Sequence, residues 1–239
     1  MPEIVISKNK NTHKVNYKYK RILLTLFMNK NNVNTKVFWS SIFYQQLTKK
    51  LQKLLSTIRD CEVCKAYLPL GTRPIVAGTQ NSKIVLVSQA PGRKAHEQNK
   101  AYDDPSGRKL REWLGVTEEQ FYNPDNFAIL PMGFCYPGKA KSGDMPPRKE
   151  CAPLWHDRVL KKLKNVRLTL LIGKYAQDQY IGKTSQKNLT ENVANYVEFL
   201  PDYFVIPHPS PVNRFWTIKN PWFEADVVPE LRKRVSELL

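Results

Sequence analysis

The chain of 239 residues carries 38 Lys and Arg against 21 Asp and Glu, a formal net charge of +17. Its length suits one α/β domain with a tail or two small domains, and a core of that size folds without disulfide staples. Hydrophobic residues at 41% and aromatics at 11% exclude a wholly disordered chain. The charge favours a polyanionic partner, because phosphates neutralised by Lys and Arg release their counterions. A solvated basic surface is the plainer alternative. The apolar run Ile22–Met28 contains Thr25, is too short to span a bilayer, and is followed by no small-residue cleavage site. A cytoplasmic, reducing compartment and no membrane are therefore expected, which argues against disulfides.

Residues 1–36 read as a basic extension of low complexity, of a kind that is usually mobile, and 37–239 as the folded domain. Phe38–Ile58 reads as an amphipathic helix, with Leu47, Leu51, Leu54, Leu55 and Ile58 at three- and four-residue spacing. Four short apolar runs follow: Ile84–Ser88, Phe127–Leu130, Leu168–Gly173 and Tyr203–Pro207. Each is bounded by Gly, Pro or polar residues, which is the mark of a buried strand. Helical stretches are expected at Ser106–Leu114, Cys151–Leu163, Lys174–Ile181, Thr190–Phe199 and Trp222–Leu238, the last kinked or broken at Pro229. Strands apolar throughout imply burial on both faces, and alternation with helices implies a parallel sheet. Such sheets bind ligands beyond the carboxyl ends of their strands.

The cysteines number four. Cys61 and Cys64 form C-x2-C at the end of the first long helix. Cys135 lies in G-F-C-Y-P-G after the second strand, and Cys151 opens a helix. C-x2-C brings two thiolates within one tight turn, which suits chelation of a single centre. Structural zinc more often uses two close-paired knuckles, and the second half here is not a knuckle. Irregular loop spacing is tolerated by a cubane cluster on four thiolates. Unlinked buried thiols and a redox-active C-x2-C are the alternatives.

Two loops carry chemistry-bearing residues. The first strand ends in Ser88, Gln89, Ala90, Pro91 and Gly92, where Pro fixes one backbone angle and Gly permits a tight turn. Such a loop can present backbone N–H groups to a ligand, or can be a plain strand-to-helix turn. The fourth strand runs into His208 between two prolines, followed by Ser210, Asn213, Arg214, Phe215 and Trp216. A histidine there can donate to a developing anion, or can merely be satisfied by core or solvent. Ser210, Asn213 and Arg214 are donors suited to phosphates.

The order of these motifs resembles the iron–sulfur-containing branch of the uracil-DNA glycosylase superfamily. The wider strings, L-P-L-G at 68–71, S-Q-A-P-G-R at 88–93, D-D-P-S-G-R-K-L-R-E-W-L-G at 103–115, P-M-G-F-C-Y-P-G at 131–138 and H-P-S-P-V-N-R at 208–214, resemble still more closely a bacterial group of uracil-DNA glycosylase family proteins. The resemblance covers roughly residues 45–239. It implies a three-layer α/β/α sandwich with a central four-stranded parallel sheet, and a monomer acting on DNA. It implies a structural 4Fe-4S cluster on Cys61, Cys64, Cys135 and Cys151, with zinc as the second choice of occupant. It implies a flipped nucleotide in a pocket built by the 88–93 loop, Tyr102, the 131–134 segment and His208. His208 would stabilise charge on the departing base. Ala90, Gly92, Tyr102 and Met132 would bind that base, and Arg93, Ser210, Asn213 and Arg214 would hold DNA.

Three departures stand out. Gln89 occupies the position where that branch carries an acid, and an amide can position a water but cannot act as a base. Pro131 aligns with the Asn that pairs with the uracil edge. Tyr102 stands where the family usually has Phe. The water-positioning role would then fall to Asp103, Asp104 or Glu97. The expected activity is a base-excision glycosylase, and its rival is a silent DNA or RNA binder that kept the fold and cluster.

Overall fold

The computed structural model describes residues 33–182 and 188–239. The expected extension at 1–36 therefore lies almost wholly outside the described residues. Contacts divide the chain into two units, Met1–Tyr44 and Gln45–Leu239. The first helix, α1 (Val33–Arg59), opens in the first unit. Everything after it belongs to the second.

The sheet holds β1 (Ile84–Val87), β2 (Phe127–Ile129), β3 (Leu168–Ile172) and β4 (Tyr203–Ile206), in the order β2-β1-β3-β4. Every pairing is parallel: Ile84 opposes Phe127 and Leu168, and Thr169 opposes Tyr203. Each strand is one residue shorter than its apolar run, because the ladder stops where the chain turns away at Ser88, Leu130, Gly173 and Pro207. Pro207 has no N–H to offer a neighbour.

Alternation splits each strand between two cores. Val85, Val87, Ala128, Leu130, Leu171 and Val205 pack with Leu51, Leu54, Leu55 and Ile58 of α1 and with Trp155 and Val159. Ile84, Leu86, Phe127, Leu168, Leu170, Phe204 and Ile206 pack on the opposite face. Their partners are Leu110, Trp113 and Leu114 of α3 (Pro105–Leu114), Phe121 of α4 (Glu118–Tyr122), and Leu231 and Val235 of α9 (Val228–Leu238). Burying each such side chain contributes about 1.5–3 kcal/mol. Both faces are covered, so the architecture is the expected three-layer α/β/α sandwich with a four-stranded parallel sheet.

The helices differ from expectation in detail. A short α2 (Arg93–Gln98), α4 and α8 (Arg214–Lys219) appear where no helix was read. They are too short to show a 3.6-residue period, although α4 carries a complete capping box between Thr117 and Gln120. The Cys151–Leu163 stretch is a π-helical turn, Ala152–His156, running into α5 (Asp157–Leu160). Thr190–Phe199 divides into α7 (Leu189–Ala194) and a 3-10 turn, Tyr196–Phe199. Lys174–Ile181 is α6 as read. The Trp222–Leu238 stretch divides beside Pro229, as its sequence suggests: a π-helical turn at Phe223–Val227 gives way to α9, and Pro229 sits in the first turn of α9, where a missing N–H is tolerated.

Gly107 is required by close approach. A Cβ on Gly107 would stand 1.8 Å from the Tyr102 carbonyl oxygen. That contact presses α3 against the Tyr102 backbone, which is held at φ +57°. No helix among the described residues is long and apolar enough to cross a membrane.

Candidate functional site

A cavity of about 640 Å³ opens at the carboxyl edge of the sheet. That volume suits a small ligand. The β1 loop supplies Ser88 through Gly92, and the segment before α3 supplies Tyr102 and Asp104. Pro131 follows β2, Tyr175 follows β3, and His208 with Ser210–Asn213 follows β4. A turn closed by antiparallel pairing of Lys139 with Asp144 forms a further wall.

His208 is held from three sides. Its Nδ1 accepts the Ser210 N–H at 3.2 Å, and its carbonyl accepts Asn213 Nδ2 at 2.8 Å. Gly173 lies behind it at φ +81°, and a Cβ there would stand 3.2 Å from His208 Cβ. With Nδ1 committed as an acceptor, the ring proton of the neutral form resides on Nε2. Burial pushes the imidazole down to about 4, with the Asp104 charge acting the other way. Near neutral pH the side chain is thus an uncharged N–H donor of fixed orientation.

Tyr102 lines the cavity with its ring edge-on to Phe121, centroids 5.6 Å apart. Burial pushes its phenol well above the usual range, with the Ser88 hydroxyl opposing. The β1 and β2 loops are laced together: Met132 N–H donates to the Ser88 carbonyl at 2.7 Å and Gly133 N–H to that of Gln89 at 2.9 Å. Gln89 Nε2 donates to the Met145 carbonyl at 3.3 Å, tying the β1 loop to the 139–144 turn. Buried His156 faces the Pro131 carbonyl through Nε2 at 3.0 Å and the Tyr180 hydroxyl through Nδ1 at 2.7 Å.

Of the residues expected here, Gln89, Ala90, Gly92, Tyr102, His208, Ser210 and Asn213 line the cavity. Met132 does not: its side chain is buried in the core on the α1 side of the sheet. Pro131 takes the wall position, and chain alternation turns its neighbour inward. Of the 131–134 segment, then, only Pro131 reaches the cavity. Arg93 is exposed outside it and pairs with Glu97 at 2.7 Å. Arg214 lies in an adjoining depression that His208 and Ser210 also border. Phe215 points outward at 75% exposure and Val212 and Ile218 are exposed too, whereas Trp216 donates to Thr190 Oγ1 at 2.9 Å. Asp104 lines the cavity; Glu97 and Asp103 do not. Asp144 and Lys139 were missed, because K-A-K-S-G-D reads as ordinary turn composition.

The cysteines converge from three segments. Cys64 and Cys135 pack together with Leu68, and Cys151 lies in the core with Cys61 at its edge. None is in a disulfide. Burial pushes Cys135 up to about 11, and Cys61 and Cys64 add to the rise. Burial likewise pushes Cys151 up to about 12, reinforced by the other three. Burial raises the Cys64 thiol, while Arg148 beside it, ion-paired with Glu150, acts the other way. Among the described residues no group of three or more His, Cys, Asp or Glu is placed to hold a metal ion. Thiolates around one ion crowd at about 2.3 Å from it, whereas a cluster bonds each to its own iron. Four thiols within electrostatic reach of one another are a donor set whose chemistry suits a thiolate-bound centre.

The His208 shift has a sign that can be tested. Unfolded, the imidazole titrates near about 6.5, whereas folding pushes it down to about 4. Between those values the unfolded chain holds a proton that the folded chain does not. This contribution to stability is complete above about pH 6.5 and is lost as pH falls toward 4. Urea melts of wild type and His208→Ala should converge by about 2–3 kcal/mol between about pH 7 and 4.5. His96 and His156, also lowered by burial, are common to both proteins and cancel. A difference independent of pH would mean that the ring is open to water.

The sequence pattern of the uracil DNA glycosylase superfamily matches residues 75–232, which hold all four strands and every cavity residue named above. A solution structure of a candidate uracil DNA glycosylase from Methanosarcina acetivorans is 15% identical, with a TM-score of 0.39, over 67% of this chain and 97% of that one. At that level of superposition it adds nothing to the assignment, which rests on the sequence match. The chain belongs to the uracil DNA glycosylase superfamily.

Proposed function

We propose that the protein is a DNA glycosylase of base-excision repair, hydrolysing the N-glycosidic bond of uracil or another deaminated or damaged base. The observation that carries this reading is His208, an uncharged Nε2–H donor at the carboxyl edge of the sheet. A base departing from its sugar takes the bonding electron pair and gains negative charge on its carbonyl oxygens. A fixed donor that meets this charge favours the transition state over the bound substrate. The cavity suits one flipped base, with the Tyr102 ring on its wall. The net charge of +17 supports a polyanionic partner, and Arg214 with exposed Phe215 and Val212 offers that partner a cation beside apolar surface.

Cys61, Cys64, Cys135 and Cys151 would hold a 4Fe-4S cluster. Bound there, it would tie the segment after α1 to the loop that follows β2, and its role would be structural, with no step of the hydrolysis routed through it. Cys135 sits between Pro131 and Pro137, which both line the cavity, so ordering that loop shapes the pocket.

A second reading is a silent DNA binder of the same fold. Gln89 in place of an acid and Pro131 in place of an amide favour it. Labelled duplexes carrying uracil, hypoxanthine or xanthine, treated with alkali after incubation, separate the two. A glycosylase leaves alkali-labile abasic sites, and His208→Ala should lower the single-turnover rate by at least ~10² with DNA affinity little changed. Tight binding with no base released from any lesion would establish the binder instead.

Anaerobically purified protein should be brown and contain about four iron atoms per chain. Chelation or Cys135→Ala should lower thermal stability as well as colour, since metal binding energy is partly folding energy. One zinc and no iron, or a metal-free protein of full stability, would contradict the cluster.

A further inference from the structure

Two carboxylates stand in the cavity besides the residues already given roles. Asp104 caps α3, its Oδ1 accepting the Gly107 N–H at 2.8 Å. Its Oδ2 lies 3.6 Å from the point where a Cβ on Gly92 would stand. Asp144 closes the 139–144 turn, and its Oδ2 lies 3.7 Å from the same point. Two oxygens from different loops therefore face one small space beside Gly92, and an ordinary side chain there would fill it. The cavity containing that space is the one His208 borders. Asp144 is open to solvent on one side, and partial desolvation against the cavity wall raises its carboxyl above the usual range, with nearby Asp104 adding to the rise while Lys139 and the Tyr136 hydroxyl oppose it.

We propose that Asp144 is the carboxylate that orients the attacking water, replacing the acid that Gln89 lacks. The proposal rests on the glycosylase reading and deepens it. Gln89 occupies the position where the iron–sulfur branch that the sequence resembles carries that acid, but it spends its amide on the Met145 carbonyl, so it steadies the turn that carries Asp144. Asp104 has one oxygen committed to the helix cap, whereas Asp144 has only a long 3.5 Å contact from the Tyr136 hydroxyl. In the step, the C1′–N bond breaks and its electron pair leaves with the base, toward the His208 Nε2–H. Water held by Asp144 adds to the sugar cation through its oxygen. Its proton passes to the Asp144 carboxylate and then to solvent, which returns one to the base anion. The balance is one water consumed, one free base and one abasic sugar formed.

Single-turnover base release and DNA affinity should be measured for wild type, Asp144→Asn and Asp104→Asn on the most reactive lesion duplex. Asp144→Asn should slow release by at least ~10². Its affinity should be equal or tighter, since a negative charge leaves the DNA side. Asp144 is exposed, so the variant should fold. Asn caps a helix about as well as Asp, so Asp104→Asn should fold too and lose less activity. If wild type releases nothing, the glycosylase reading and this proposal both fall. If wild type is active and Asp144→Asn stays within about threefold of it, this proposal alone falls. A larger loss in Asp104→Asn than in Asp144→Asn would overturn it as well.

Discussion

Parallel pairing of β1 with both β2 and β3, and of β3 with β4, obliges every strand to end at the same edge of the sheet. The connection from each strand to the next must then cross a face, and these crossings deposit the helices that make the outer layers. The chain leaves β1 toward β2 on one side and returns to β3 on the other, so the loops after β1 and β3 diverge. The crevice between diverging loops is where sheets of this kind hold ligands. The cavity lies at that edge, walled by segments that follow all four strands. Everything proposed for the site depends on this common direction.

The loops are also coupled to one another. Met132 and Gly133 bond the β1 loop, and Gln89 reaches the turn that carries Asp144. His156 holds the Pro131 carbonyl from a helix that begins one residue after Cys151, and its ring stacks on Phe134. Cys135 follows Phe134 directly. The sulfur-bearing segments and the cavity wall are thus parts of one packed unit. A centre that fixed the cysteines would fix Pro131 and Pro137 with them, without touching the reacting atoms.

Much of this was legible in the sequence, because continuous apolar runs bounded by Gly and Pro have few alternatives to buried strands. The alternation of Val85 and Val87 against Ile84 and Leu86 is invisible in composition, since both sets are apolar, yet it divides the two cores. His208 and Gln89 were legible as strand-end residues, and Tyr102 by its place in the motif order that the sequence resembles. Asp144 was not, because its turn composition matches any surface loop and only folding brings it opposite Gly92. Met132 was misplaced because sequence order does not say which of two consecutive residues faces a cavity.

The central claim is that the carboxyl-edge cavity receives a flipped base and presents it to His208 Nε2. A crystal structure with a duplex carrying a 2′-fluoro-substituted deoxyuridine tests this directly, since the fluorine disfavours the sugar cation and preserves the bond. The account predicts an extruded base against Tyr102, with a carbonyl oxygen within hydrogen-bond distance of Nε2, about 2.7–3.2 Å. A duplex bound with its base still stacked, or a base seated away from His208, would contradict it.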